Sequence, residues 1–199
     1  APMDTASSKA ITSALIGVPD KSTFDKVTGR TWPAMWGAGI SVVDLSKGGS
    51  ESAYNVGNDQ KERFVQVVQR FLSILHASWS TLGPTTPVWL VYAPSMVYMH
   101  PQATAKLLSS LDRSTGGGGP GKHLVCADPC LVESGFIISV ELAEALVAKA
   151  ATAKALYRPL SHLNITMAFE ELGGSVVSDS SVIMPSPPSP SKWTTEVRL

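Results

Sequence analysis

The sequence predicts a mainly β domain with short inserted helices, and three observations carry that expectation. Short apolar runs rich in β-branched and aromatic residues recur at 40–45, 88–92, 123–126 and 135–140, bounded by glycine or proline as strands are. Residues 160–169 alternate, with Leu163, Ile165, Met167 and Phe169 on one face of a half-buried strand. The run 64–75 opens with Phe64, Val65, Val67 and Val68, all β-formers, and stays apolar through Ile74 towards Trp79. That last run also carries a helical stripe (Phe64, Val65, Val67, Val68, Phe71, Leu72, Leu75) with Asn58 or Asp59 as cap. It is read here as a strand. The alternative is an α/β accessory subunit: helix 59–76, strand 88–92, helix 101–111, strand 123–126 and helix 141–156.

In chain order, residues 1–30 read as an N-terminal arm rich in Ser, Thr, Asp and Lys, with one apolar patch at 14–18. Residues 31–184 form the folded domain. Trp32 and Trp36 anchor its core ahead of the first strand at 40–45, and 47–50 is a turn. The central unit spans 86–128. Its strand at 88–92 lies between Pro87 and Pro94. A helix at 101–111 has proline in its first turn and Leu107, Leu108 and Leu111 on one face; a mobile loop at Gly116 to Gly121 and a strand at 123–126 follow. Residues 141–156 are helical by propensity, 174–184 form a weaker apolar run, and 185–199 are a Pro/Ser-rich tail. The expected core is Trp89, Leu90, Val91, Leu124, Ile137, Ile165, Met167 and Phe169.

Composition restricts function. The 199 residues are 44% apolar and only 16% charged, a balance that suits a subunit burying surface against neighbours. Sixteen basic and sixteen acidic side chains cancel, so no long-range field draws the chain to nucleic acid or an anionic membrane. No apolar run approaches the roughly 20 residues that span a bilayer. No secretory signal is read at the start, and Ala1-Pro2 looks like a chain that has lost an initiator Met or a leader. Cys126 and Cys130 lie in Cys-Ala-Asp-Pro-Cys; zinc would need two further ligands and only His123 is near, so they read as reduced thiols. His76, His100, His123 and His162 are dispersed, and the glycine run lacks the Lys-Ser/Thr of a phosphate loop. Glu170 and Glu171, adjacent on a strand, would point to opposite faces. The expectation is a protein that is not an enzyme and takes no metal or cofactor.

Several stretches resemble the coat proteins of small icosahedral positive-strand RNA plant viruses of the bromovirus, cucumovirus and tymovirus kind. Asn58-Asp-Gln-Lys-Glu-Arg with the apolar run to Leu75 is similar to their polar turn and long front strand. Val88-Trp-Leu-Val-Tyr-Ala-Pro, the helix carrying Leu107-Leu108, and Leu124-Val-Cys-Ala resemble their mid-domain strand, helix and strand. Leu163-Asn-Ile-Thr-Met-Ala-Phe-Glu-Glu resembles their last major strand. The likeness covers residues 55–172 and is one of pattern. It implies an eight-stranded jelly roll, many copies closing into a shell around RNA, and localisation to a virion assembled in host cytoplasm. The arm lacks the arginine-rich segment of bromovirus-like coats: either a basic leader is missing, or RNA is packaged in the tymovirus-like way with few basic arms, its weak contact falling to Lys9, Lys21, Lys26 and Arg30. The Ala-rich stretch 141–156 departs from the pattern.

Overall fold

Phe64, Val68, Phe71, Leu72 and Leu75 recur at intervals of three and four residues, which a helix gathers into one stripe. The computed structural model describes residues 14–19, 21–22, 41–45, 60–78, 87–94, 97–114, 121–152 and 165–184. In it this run is helix α1, Gln60–Ser78. Phe64, Val67, Val68, Phe71 and Leu75 are buried, while Gln69, Ser73 and His76 are exposed. The expected strand over 64–75 is therefore corrected. A β-branched residue costs a helix at most ~0.7 kcal/mol, whereas a strand would send Phe64 and Val67 to opposite faces and break the buried stripe.

The other elements are strands β1 (Ala14–Val18), β2 (Ser41–Asp44), β3 (Trp89–Tyr92) and β4 (Tyr98–Met99), helix α2 (Pro101–Ser114), and strands β5 (His123–Cys126) and β6 (Phe136–Ser139). Helices α3 (Val140–Thr152) and α4 (Ile165–Glu170) and strands β7 (Ser175–Ser178) and β8 (Ile183–Met184) complete the order. Six strands make one sheet in the order β2-β1-β3-β6-β5-β7, and β4 pairs with β8 separately. Only β6 runs against the others: β1 is parallel to β2 and β3, β5 is parallel to β7, and β6 is antiparallel to β3 and β5. Val42, Ile16, Val91, Ile137, Val125 and Val177 stand in register across the sheet as one apolar row.

Helices cover both faces. On the first face Ile16, Val18, Trp89, Val91, Val125 and Ile137 pack with Ala105 and Leu108 of α2 and with the β4–β8 pair. On the second, Leu15, Leu90, Tyr92, Leu124, Phe136 and Ile138 pack with α1, α3 and Phe169 of α4. This is a mixed α/β sheet sandwiched by helices, which corrects the expected mainly β, eight-stranded jelly roll. Strands that run parallel need crossovers of a dozen residues or more; among the described residues, α1 lies in the connection from β2 to β3 and α2 in that from β3 to β5. The step from β2 to β3 over α1 and the step from β3 to β5 over α2 move the same way along the sheet on opposite faces. They therefore have opposite hand, and because such crossovers are right-handed in about 98% of cases, one of the two is an exception.

Two further expectations change. The patch at 14–18, assigned to an arm, is β1, buried along its whole length between β2 and β3. Residues 165–170 are helical, so the alternating strand over 160–169 is corrected. A strand puts Met167 and Phe169 on one face; a helix turns residues two apart by about 200°. Phe169 is 3% exposed and Met167 46% exposed, so Met167 leaves the expected core. Trp89, Leu90, Val91, Leu124 and Ile137 are fully buried, and the side chain of Ile165 lies outside the described residues, as do Trp32, Trp36 and Gly116 to Pro120.

Candidate functional site

Strand register brings together polar side chains that are far apart in sequence. Trp89 stands opposite Ser139, and His123 stands opposite Ser175. The antiparallel register of β5 and β6 sets His123 beside Ser139. Trp89, Ser139 and His123 thus form a row on the first face, at the edge of the sheet where the parallel strands begin.

Ser139 ends β6 and caps α3. Its Oγ accepts the Leu142 N–H at 3.4 Å and the His123 N–H at 3.0 Å, a serine N-cap extended to a neighbouring strand. Two accepted bonds tie this hydroxyl to structure. The indole Nε1 of Trp89 and Nδ1 of His123 are buried and have no hydrogen-bond partner among the described residues. Burial holds the His123 pKa below its ordinary value, while the carboxylates of Asp112 on α2 and Glu141 on α3 pull it partly back. The row can therefore exchange a proton at His123, but it aligns no nucleophile.

At the opposite edge, where the parallel strands end, the loop from β5 to β6 is stapled by a Cys126–Cys130 disulfide. This corrects the reading of two reduced thiols. The Asp128–Pro129 bond inside it is cis, and Arg63 of α1 pairs with Glu133 further along the loop. His100 caps α2: its Nδ1 accepts the Ala103 N–H at 3.3 Å, and its carbonyl accepts from Thr104 N and Oγ1. Among the described residues no group of three His, Cys, Asp or Glu side chains is placed to hold a metal, and no helix is long and apolar enough to cross a membrane.

The third feature is the edge strand β7. Ser175 N donates to Lys122 O at 2.8 Å and Asp179 N donates to Cys126 O at 3.0 Å. A parallel ladder engages alternate residues, so Val177 also faces β5, while the main-chain groups of Val176 and Ser178 point away from the sheet. Ser175 and Ser178 are exposed and the two valines half-buried, whereas β3 and β6 are buried throughout.

Of the basic residues expected to touch RNA, Lys21 lies in a helical turn after β1 and is half-buried; Lys9, Lys26 and Arg30 fall outside the described residues. The row of Trp89, Ser139 and His123 escaped the sequence because pairing between distant strands leaves no local signal. The Cys-x-x-x-Cys spacing was a signal for the disulfide, and the uncharged Ser-Val-Val-Ser shows nothing that would set it apart as an edge strand. Compared with known proteins, the chain matches no family model, and none of the curated proteins matches it.

Proposed function

We propose that this chain is a non-catalytic, self-associating subunit of a larger assembly. The observation that supports the reading is the outer edge of β7. Edge strands that must stay unpaired are blunted with lysine, proline or bulges, and Ser175–Ser178 has no charge and no proline, with the N–H and C=O groups of Val176 and Ser178 directed outward. The low charge of the chain, 16% of residues, agrees with surface that is covered by neighbours. A shell of many copies is one such assembly, though the jelly roll that linked this chain to plant-virus coats is absent.

The occupant of the edge is a second copy of β7, antiparallel about a two-fold axis through Val177. In that register Val176 faces Ser178 of the other copy, and each such pair exchanges both main-chain bonds. The test is light scattering after size exclusion, with negative-stain microscopy, on the parent and on Val176→Pro. That proline removes an outward N–H and leaves the β5 ladder intact. Multimers in the parent and monomers in a folded variant support the reading. A parent that is monomeric at every concentration, or a variant that associates unchanged, overturns it.

A further inference from the structure

The Cys126–Cys130 disulfide joins two sulfurs in unlike surroundings. Cys126 is fully buried in the apolar cluster of the second face, while Cys130 is half-buried at the margin of that cluster, after the exposed Asp128 and Pro129 in the loop. The inner sulfur belongs to β5, which is held on both sides by β6 and β7, and the Cys126 carbonyl takes the Asp179 N–H at 3.0 Å. Opening the bond therefore leaves the strand in place. The two cysteines are only four positions apart, so the bond constrains the unfolded chain less than a long cross-link does.

We propose that Cys130 is a site of reversible S-thiolation by low-molecular-weight thiols of the glutathione class. The incoming thiolate attacks the Cys130 sulfur along the line that continues the S–S bond outward. The Cys126–Cys130 bond breaks as the new S–S bond forms, and Cys126 departs with the electron pair and takes up the proton that the incoming thiol had released. No net oxidation occurs. A second thiolate attacking the small-molecule sulfur releases Cys130 and yields the small disulfide. The return attack must come from Cys126, which is fully buried in the second-face cluster and fixed there by the pairing of β5 with β6 and β7. The mixed disulfide at Cys130 consequently persists instead of reclosing at once.

The experiment incubates the folded protein in mixtures of reduced and oxidised glutathione, quenches with acid, and maps the adduct by peptide mass spectrometry while circular dichroism follows the fold. One glutathione on Cys130, none on Cys126, and an unchanged spectrum are expected. Cys126→Ala should carry the adduct stoichiometrically and Cys130→Ala should carry almost none. A parent disulfide that opens only after denaturant is added overturns the proposal. So does an adduct that forms on Cys126 as readily as on Cys130, and the parent's peptide map decides this even if neither variant folds.

Discussion

The rings of Trp89 and His123 stack across the intervening strand β6, with centroids 6.5 Å apart and planes inclined by 29°. Each ring carries a buried nitrogen without a partner among the described residues, and the carboxylates of Asp112 and Glu141 act on the imidazole from α2 and α3. The pair joins the first-face core to an imidazole whose pKa burial lowers.

That shift makes stability depend on pH. Desolvation lowers the folded-state pKa of His123 below 6.5, its value in the open chain. Between the two values the unfolded chain binds more protons, so stability falls as pH drops below 6.5 and levels off under the folded pKa. His123→Gln should flatten this part of the profile. Urea midpoints of parent and variant across pH 7 to 5 check it; parallel profiles would remove His123 as the cause.

Trp89 is fully buried at the centre of the sheet. Trp89→Ala should cost ~3–5 kcal/mol, a large share of the stability of a domain this size. Trp89→Phe keeps an aromatic ring, though a smaller one than the indole, and deletes the orphaned N–H, so its cost should be smaller. Denaturant unfolding measures both, and equal losses would show that the indole nitrogen has a partner.

Gly17 lets α1 lie close on the sheet. A Cβ there would run into the Phe71 ring and come within 2.9 Å of Leu45 Cδ1. Overpacking of this kind typically costs ~1–3 kcal/mol, so Gly17→Ala should fall in that range. Adding Phe71→Leu should recover part of the loss, because the two positions share one space. A double mutant whose losses simply add would place the strain elsewhere.

Gly135 closes the 3-10 turn Val132–Ser134 with φ +74°, and a Cβ there would sit 2.9 Å from the Tyr92 carbonyl oxygen. Left-handed backbone and a rigid neighbour both oppose a side chain. Gly135→Ala should lower the thermal midpoint clearly, whereas Gly173→Ala, with φ +72° and nothing within 4 Å, should lower it less.

The helical turn of α4 separates Met167 from Phe169. Met167→Lys should change stability by less than ~0.5 kcal/mol, as exposed substitutions do; Phe169→Ala should cost ~3–5 kcal/mol. Similar losses at both positions would return them to one face and restore the strand.

What the sequence determined by itself was local. The run 88–92 between prolines, the proline-led helix 101–111, the apolar 123–126 and the Ala-rich stretch 141–156, as far as it is described, all rest on patterns within one element, and those elements stand where such patterns place them. Tertiary structure decided whatever depends on contacts between distant segments. The patch 14–18 carries no sign of its position; burial on both faces, with β2 and β3 as neighbours, makes it a central strand. Along 64–75, propensity and periodicity disagreed, and the sheet settled the matter by offering a flat apolar face that only a helical stripe could cover. Trp89, Ser139 and His123 share a row because β6 inserts between β3 and β5, and the side chains on any one strand contain no record of which strand lies beside it. Main-chain hydrogen bonds pair strands without regard to side-chain identity, so register emerges from the packing of the whole sheet.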